Sequence, residues 1–88
     1  MAVKSEVKIN ESLTLYADQG AGQLYLKLIS GQSTEAKLSV IDMAGHTKLE
    51  RKIPTNQLTF IPLNDIDEGI YIAQVEYENN ILTEKFRF

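Results

Sequence analysis

Eighty-eight residues suffice for one core and not for two, and 43% hydrophobic with 24% charged residues is the balance of a folded domain, not of a disordered chain. The formal net charge is -3 and Lys and Arg are scattered, which disfavours a grip on phosphate backbones, so nucleic acid is not an expected partner. Cysteine is absent, which removes disulfides, thiolate metal sites and cysteine nucleophiles together, and no apolar run approaches the ~20 residues of a transmembrane helix.

In chain order, Met1 to Lys8 alternates charge with aliphatic residues and lacks the continuous apolar stretch of a secretory signal peptide. An exported domain of this kind would carry its signal upstream, and Met1 reads equally as a native start or an added residue. Val3, Val7 and Ile9 oppose Lys4, Glu6 and Lys8, so residues 1–10 form an edge strand or a linker to a single β-sandwich domain spanning 1–88. Leu13 and Leu15 mark a second short strand, closed by the turn Asp18-Gln19-Gly20-Ala21-Gly22. From Gln23 to Ser30 the alternation is strict, with Leu24, Leu26 and Leu28 inward and Tyr25, Lys27 and Ile29 outward.

Gly31 to Thr34 is a polar loop, after which Ala36, Leu38 and Val40 resume the inward face. Asp42-Met43-Ala44-Gly45 has the chemistry of a type I turn with glycine in the left-handed position, a common route into a bulged hairpin. The returning strand, Thr47 to Ile53, carries Lys48, Glu50, Arg51 and Lys52 and suits a sheet edge. Pro54-Thr55-Asn56 ends it, Leu58, Phe60 and Pro62 belong to the next strand, and an acidic loop from Asn64 leads to Gly69 and a final hairpin.

With a two-residue turn at Asn79-Asn80, Tyr77 opposes Leu82, Ala73 opposes Phe86 and Tyr71 opposes Phe88 on one face. Gln74 with Lys85 and Glu76 with Thr83 take the other, while Glu84 falls on the apolar face beside Val75. Seven or eight short strands and no helical stripe give an all-β chain, an immunoglobulin-like antiparallel β-sandwich of about seven strands.

Reactive constellations are sparse. His46 is the sole histidine and sits in a turn with no oriented acid or nucleophile implied beside it. Asp65, Asp67 and Glu68 could draw a calcium ion, but Gly69 stands at the fifth loop position where an EF-hand requires the sixth, so a solvated turn is expected. Glu84 reads as a rim carboxylate reaching water, not as half of a glycosidase pair. Gly20 and Gly22 precede no helix that could cradle phosphate. The four tyrosines could build a platform for sugars or bases, yet Tyr71 and Tyr77 read as core, leaving Tyr25 as the outward one. No catalytic residue, metal ligand or cofactor is expected.

Leu24-Tyr25-Leu26, the turn from Asp42 to Gly45, Gly69 with Tyr71, and the basic and aromatic run Lys85-Phe86-Arg87-Phe88 occur in an order that resembles the C-terminal sorting domain of the type IX (Por) secretion system of Bacteroidetes. The resemblance extends from about Leu13 to Phe88. It departs after Tyr16, where Ala17-Asp18-Gln19 replaces the family's Pro-Asn-Pro.

What the resemblance implies is a non-catalytic address, the monomeric C-terminal domain of a larger exported protein. Such a protein crosses the inner membrane by a separate signal peptide and passes from periplasm to outer membrane. Its partners would be the outer-membrane secretion machinery and a sortase-like peptidase, with the cargo left on surface lipopolysaccharide or outside the cell. By the same resemblance Asp42, Gly45, Gly69, Tyr71, Lys85, Phe86, Arg87 and Phe88 form the sorting motif, with Lys85 and Arg87 its outward contacts. Two other readings stay open: an immunoglobulin-like surface or periplasmic adhesion module, and a small carbohydrate-binding domain using Tyr25 and its neighbours.

Overall fold

The computed structural model describes residues 12–31 and 34–88, so the strand expected around Val3 to Ile9 lies outside the described residues. Seven strands follow one another: β1 (Ser12–Asp18), β2 (Gln23–Ile29), β3 (Glu35–Asp42), β4 (Thr47–Pro54), β5 (Leu58–Pro62), β6 (Ile70–Tyr77) and β7 (Asn80–Arg87). They form two antiparallel sheets, one ordered β1-β2-β5 and the other β4-β3-β6-β7. The chain is all-β, as its alternation predicts.

Alternation decides what each sheet buries, because successive side chains leave a strand on opposite faces. Leu24, Leu26 and Leu28 from β2, Ala36, Leu38 and Val40 from β3, and Tyr71, Ala73, Val75 and Tyr77 from β6 are all buried in one apolar cluster. These are the central strands of their sheets. The edge strands add Leu13, Leu15, Leu49 and Leu82, which are only partly buried, and the β5–β6 connection contributes Leu63 and Ile66. Fully burying a Leu or Val is worth about 1.5–3 kcal/mol each, so Leu24, Leu26, Leu28, Leu38, Val40 and Val75, all but sealed from solvent, anchor the two sheets together.

Both edges of the four-stranded sheet carry a charge on the inward face. Arg51 on β4 stands opposite Leu38, and Glu84 on β7 stands opposite Ala73, yet both reach solvent at the sheet's edges, where no described strand hydrogen-bonds to the far side of β4 or β7. Inward charges at an edge discourage pairing with another chain. Glu84, which looks misplaced in the sequence, is explained by that position.

The final hairpin corrects the expected turn. Tyr77 pairs with Asn80, so the two-residue loop is Glu78-Asn79 and not Asn79-Asn80, with Glu78 at φ 53°. Tyr71 therefore opposes Phe86 and not Phe88, Ala73 opposes Glu84, and Gln74 opposes Thr83. The register slides by two residues. A slip of two returns every side chain to its own face, so Tyr71, Ala73, Phe86 and Phe88 remain on the apolar side.

At the end of the molecule away from the β3–β4 turn, side chains staple the β4–β5 connection to the β2–β3 loop. The Thr55 hydroxyl accepts from Thr34 N at 2.9 Å and donates to Thr34 O at 3.2 Å, and Asn56 Oδ1 accepts from Ser30 N at 2.9 Å. Asn56 adopts φ 62°, a conformation its short polar side chain tolerates.

Candidate functional site

Asp42 ends β3 and builds the turn that follows. Its Oδ1 accepts from Ala44 N at 2.9 Å and His46 N at 2.8 Å, while Gly45 N donates to Asp42 O at 3.0 Å. Gly45 sits at φ 92°, where an L side chain is strained. The hairpin then resumes with a register shift: Val40 pairs with Leu49 but Ile41 with Thr47, which leaves Lys48 as the extra residue of a bulge. Lys48 Nζ and His46 Nδ1 approach Asp42 Oδ2 at 3.8 and 3.3 Å. The hydrogen bond from His46 N, helped by that from Ala44 N and by the His46 ring, outweighs burial and holds the Asp42 carboxyl below the usual carboxylate range.

Tyr71 lies directly across the sheet from Asp42, at the start of β6. Its buried ring packs on Phe86 with centroids 5.9 Å apart, and its hydroxyl donates to the Asp67 carbonyl at 2.5 Å. Burial, followed by the charges of Asp67 and Asp42, pushes the phenol's pKa up. The β5–β6 loop is thus pinned to the sheet by one side chain reaching four residues back.

Gly69 extends the β6–β7 ladder by one pair: its N–H donates to Phe88 O at 2.9 Å and its carbonyl accepts from Phe88 N at 2.8 Å. A Cβ at this position would meet nothing nearer than the Tyr71 ring at 3.7 Å, an ordinary contact. Gly45 and Gly69 therefore differ: the first answers a backbone demand, whereas the second serves as a pairing position under an aromatic ring.

These pieces, up to 46 positions apart in the chain, meet at one pole of the molecule. Asp42, Tyr71 and Phe86 form one cross-strand row, with the Gly45 turn, the Asp65 to Gly69 loop and Phe88 around it. Lys85 and Arg87 alternate with the buried Phe86 and Phe88 and point to solvent, as expected. Asp65, Asp67 and Glu68 are exposed, and among the described residues no three His, Asp or Glu side chains gather where they could hold a metal.

On the three-stranded sheet the structure assembles something that sequence reading missed. Tyr25 is not alone on its outward face: Tyr16 from β1 and Phe60 from β5 lie opposite it on either side. Ring centroids are 6.0 Å apart for Tyr16–Tyr25 and 5.1 Å for Tyr25–Phe60. In β1 Tyr16 falls on the face away from Leu13 and Leu15, but in β5 the apolar Leu58 and Phe60 turn outward and Ile61 is buried instead, and only the pairing of β1 and β5 with β2 lines the rings up.

Residues 20–87 match the family model described as the secretion system C-terminal sorting domain. Neither a curated protein nor a solved structure matches the chain. The matched span takes in β2 to β7 and every residue of the pole except Phe88, and it leaves out β1. With the Asp42 turn, the Gly69 and Tyr71 pair and the Lys85 to Phe88 strand end folded into one pole, the chain belongs to the family of type IX secretion C-terminal sorting domains, a family typical of Bacteroidetes.

Proposed function

We propose that residues 1–88 act as one domain, the address of a larger exported protein, and that the pole built by Asp42, Gly45, Gly69 and Tyr71 is the frame that displays it. Membership of the family makes the chain a sorting signal for a protein bound toward the cell surface or the exterior, by way of the type IX machinery. The observation that carries the finer reading is the alternation at the end of β7, where Phe86 and Phe88 are buried and Lys85 and Arg87 are exposed. The two aromatic side chains lock the strand end into the core. The two cations are then offered to the outer-membrane machinery at a fixed spacing on one face.

The domain itself catalyses nothing in this reading. A sortase-like peptidase acts on the region joining it to the cargo, which stays at the cell surface. The immunoglobulin-like assignment belongs to the same proposal. The sheets follow the A-B-E and C′-C-F-G grouping of such sandwiches, and Tyr71 at the start of the sixth strand, bonded to a carbonyl four residues upstream, has the geometry of a tyrosine corner.

A reporter fused between a signal peptide and residues 1–88 should reach the surface of a type IX-competent bacterium. Replacing Lys85 and Arg87 together by Ala should cut surface delivery several-fold while the thermal midpoint of the isolated domain stays within about 2 °C, since both side chains are exposed. Normal delivery by that folded double variant would sink the assignment of the contact to these two cations.

A further inference from the structure

The outer faces of the two sheets differ in kind. On the four-stranded sheet the central row is polar, with Glu50, Ser39, Gln74 and Thr83 side by side and Lys37 3.5 Å from Glu50, and isoleucines such as Ile41 and Ile72 lie in the rows beyond it. On the three-stranded sheet the central row is Tyr16-Tyr25-Phe60, with Tyr16 61% and Phe60 59% exposed. Single exposed aromatics are ordinary, but three in register on a sheet that no other described residue covers are not. The Tyr25 hydroxyl is directed at Asp18 Oδ2 at 3.4 Å, a long bond that orients the middle ring only weakly.

We propose that this face binds a linear, soluble carbohydrate chain laid across Tyr16, Tyr25 and Phe60. The flanking rows choose between occupants. One holds Thr14, Lys27 and Leu58, the other Asp18, Gln23 and Pro62, so the row of rings is bracketed by hydrogen-bonding groups on β1 and β2 and by apolar ones on β5. A pyranose chain has C–H faces that stack on rings and hydroxyl edges that pair with such groups. An apolar protein surface pressed onto the same face would strip water from the Lys27 ammonium and from the Asp18 carboxylate, whose bonds from Ala21 N and the Tyr25 hydroxyl are long at 3.2 and 3.4 Å, a cost larger than one stacked ring returns. A nucleic acid strand would want a cationic track, and here Lys27 is offset by Asp18 in a chain of net charge -3.

Successive rings are inclined by 36° and 60°, so they do not share one plane and do not match a flat crystalline surface. The site is separate from the sorting pole, since it lies on the other sheet and uses none of the pole's residues.

The 88-residue chain would be titrated with soluble hexasaccharides of glucose, xylose, mannose and N-acetylglucosamine, following tyrosine emission and retention in glycan-containing gels. At least one should bind, and Tyr16→Ala and Phe60→Ala should each weaken it by about tenfold, the loss of one stacked ring, with the fold intact by circular dichroism. Lys85→Ala with Arg87→Ala should leave binding unchanged, so failure of the sorting assignment and of this one are told apart. No binding of any probe at millimolar concentration overturns the proposal, as does binding that Phe60→Ala leaves untouched. Glycan-independent dimerisation by light scattering that Phe60→Ala abolishes also overturns it, since the face would then pair with a second copy.

Discussion

Replacing Tyr71 by Phe deletes one oxygen and isolates the contribution of the loop pin. The ring stays against Phe86, so the apolar area buried is nearly unchanged and only the bond to the Asp67 carbonyl is lost. A neutral hydrogen bond of this kind is worth about 0.5–1.5 kcal/mol net, and because Asp67 is exposed water can re-satisfy its carbonyl, which puts the expected loss near 1 kcal/mol. For a domain of this size that lowers the thermal midpoint by about 4–8 °C, with the urea m-value unchanged. Tyr71→Ala would also lose the buried ring, about 3–5 kcal/mol, a large part of the whole stability expected of 88 residues.

The same group gives an alkaline signature. Its folded pKa is raised above 10.0, so the neutral phenol's contribution is complete below that value and is lost as pH climbs through the folded pKa. Tyr71→Phe should therefore blunt the fall in stability above pH ~10. Urea titrations by circular dichroism at neutral and alkaline pH would measure both effects. A Phe variant within ~0.3 kcal/mol of the parent, with an unaltered alkaline limb, would refute the idea that the hydroxyl holds the loop.

Gly45→Ala should cost about 1–2 kcal/mol because φ 92° is unfavourable for an L residue, whereas Gly69→Ala, whose Cβ would meet the Tyr71 ring at an ordinary 3.7 Å, should stay within ~0.5 kcal/mol; chemical denaturation of the pair compares them directly. Asp42 has a folded pKa below 3.8, so its contribution is present above that value and is lost as pH falls through the folded pKa; Asp42→Asn should flatten this acid limb in a thermal melt series from pH 5 to pH 2. Glu78→Gly should stabilise the last hairpin by about 0.5 kcal/mol, the relief of a left-handed Glu less the added chain entropy, read as a small rise in the urea midpoint.

The local pattern alone was enough to say which face the residues of β2 and β3 would take. Leu24, Leu26 and Leu28, or Ala36, Leu38 and Val40, could be assigned inward because side-chain direction in a strand follows a period of two and needs no partner. The Asp42 to Gly45 turn was legible for a similar reason, since its bonds close within five residues. The hairpin register was not: turns at Glu78-Asn79 and Asn79-Asn80 put the same residues on the same faces, so alternation cannot tell them apart. Pairing Tyr71 with Phe86 and Gly69 with Phe88 is what distinguishes them.

Adjacency between strands decided the rest. Asp42, Tyr71 and Phe86 share a row because β3, β6 and β7 are neighbours, and Tyr16, Tyr25 and Phe60 because β2 lies between β1 and β5. Sequence alternation fixes the direction of each side chain about its own strand, while the choice of neighbouring strand depends on packing both sheets over one core, a property of the whole chain.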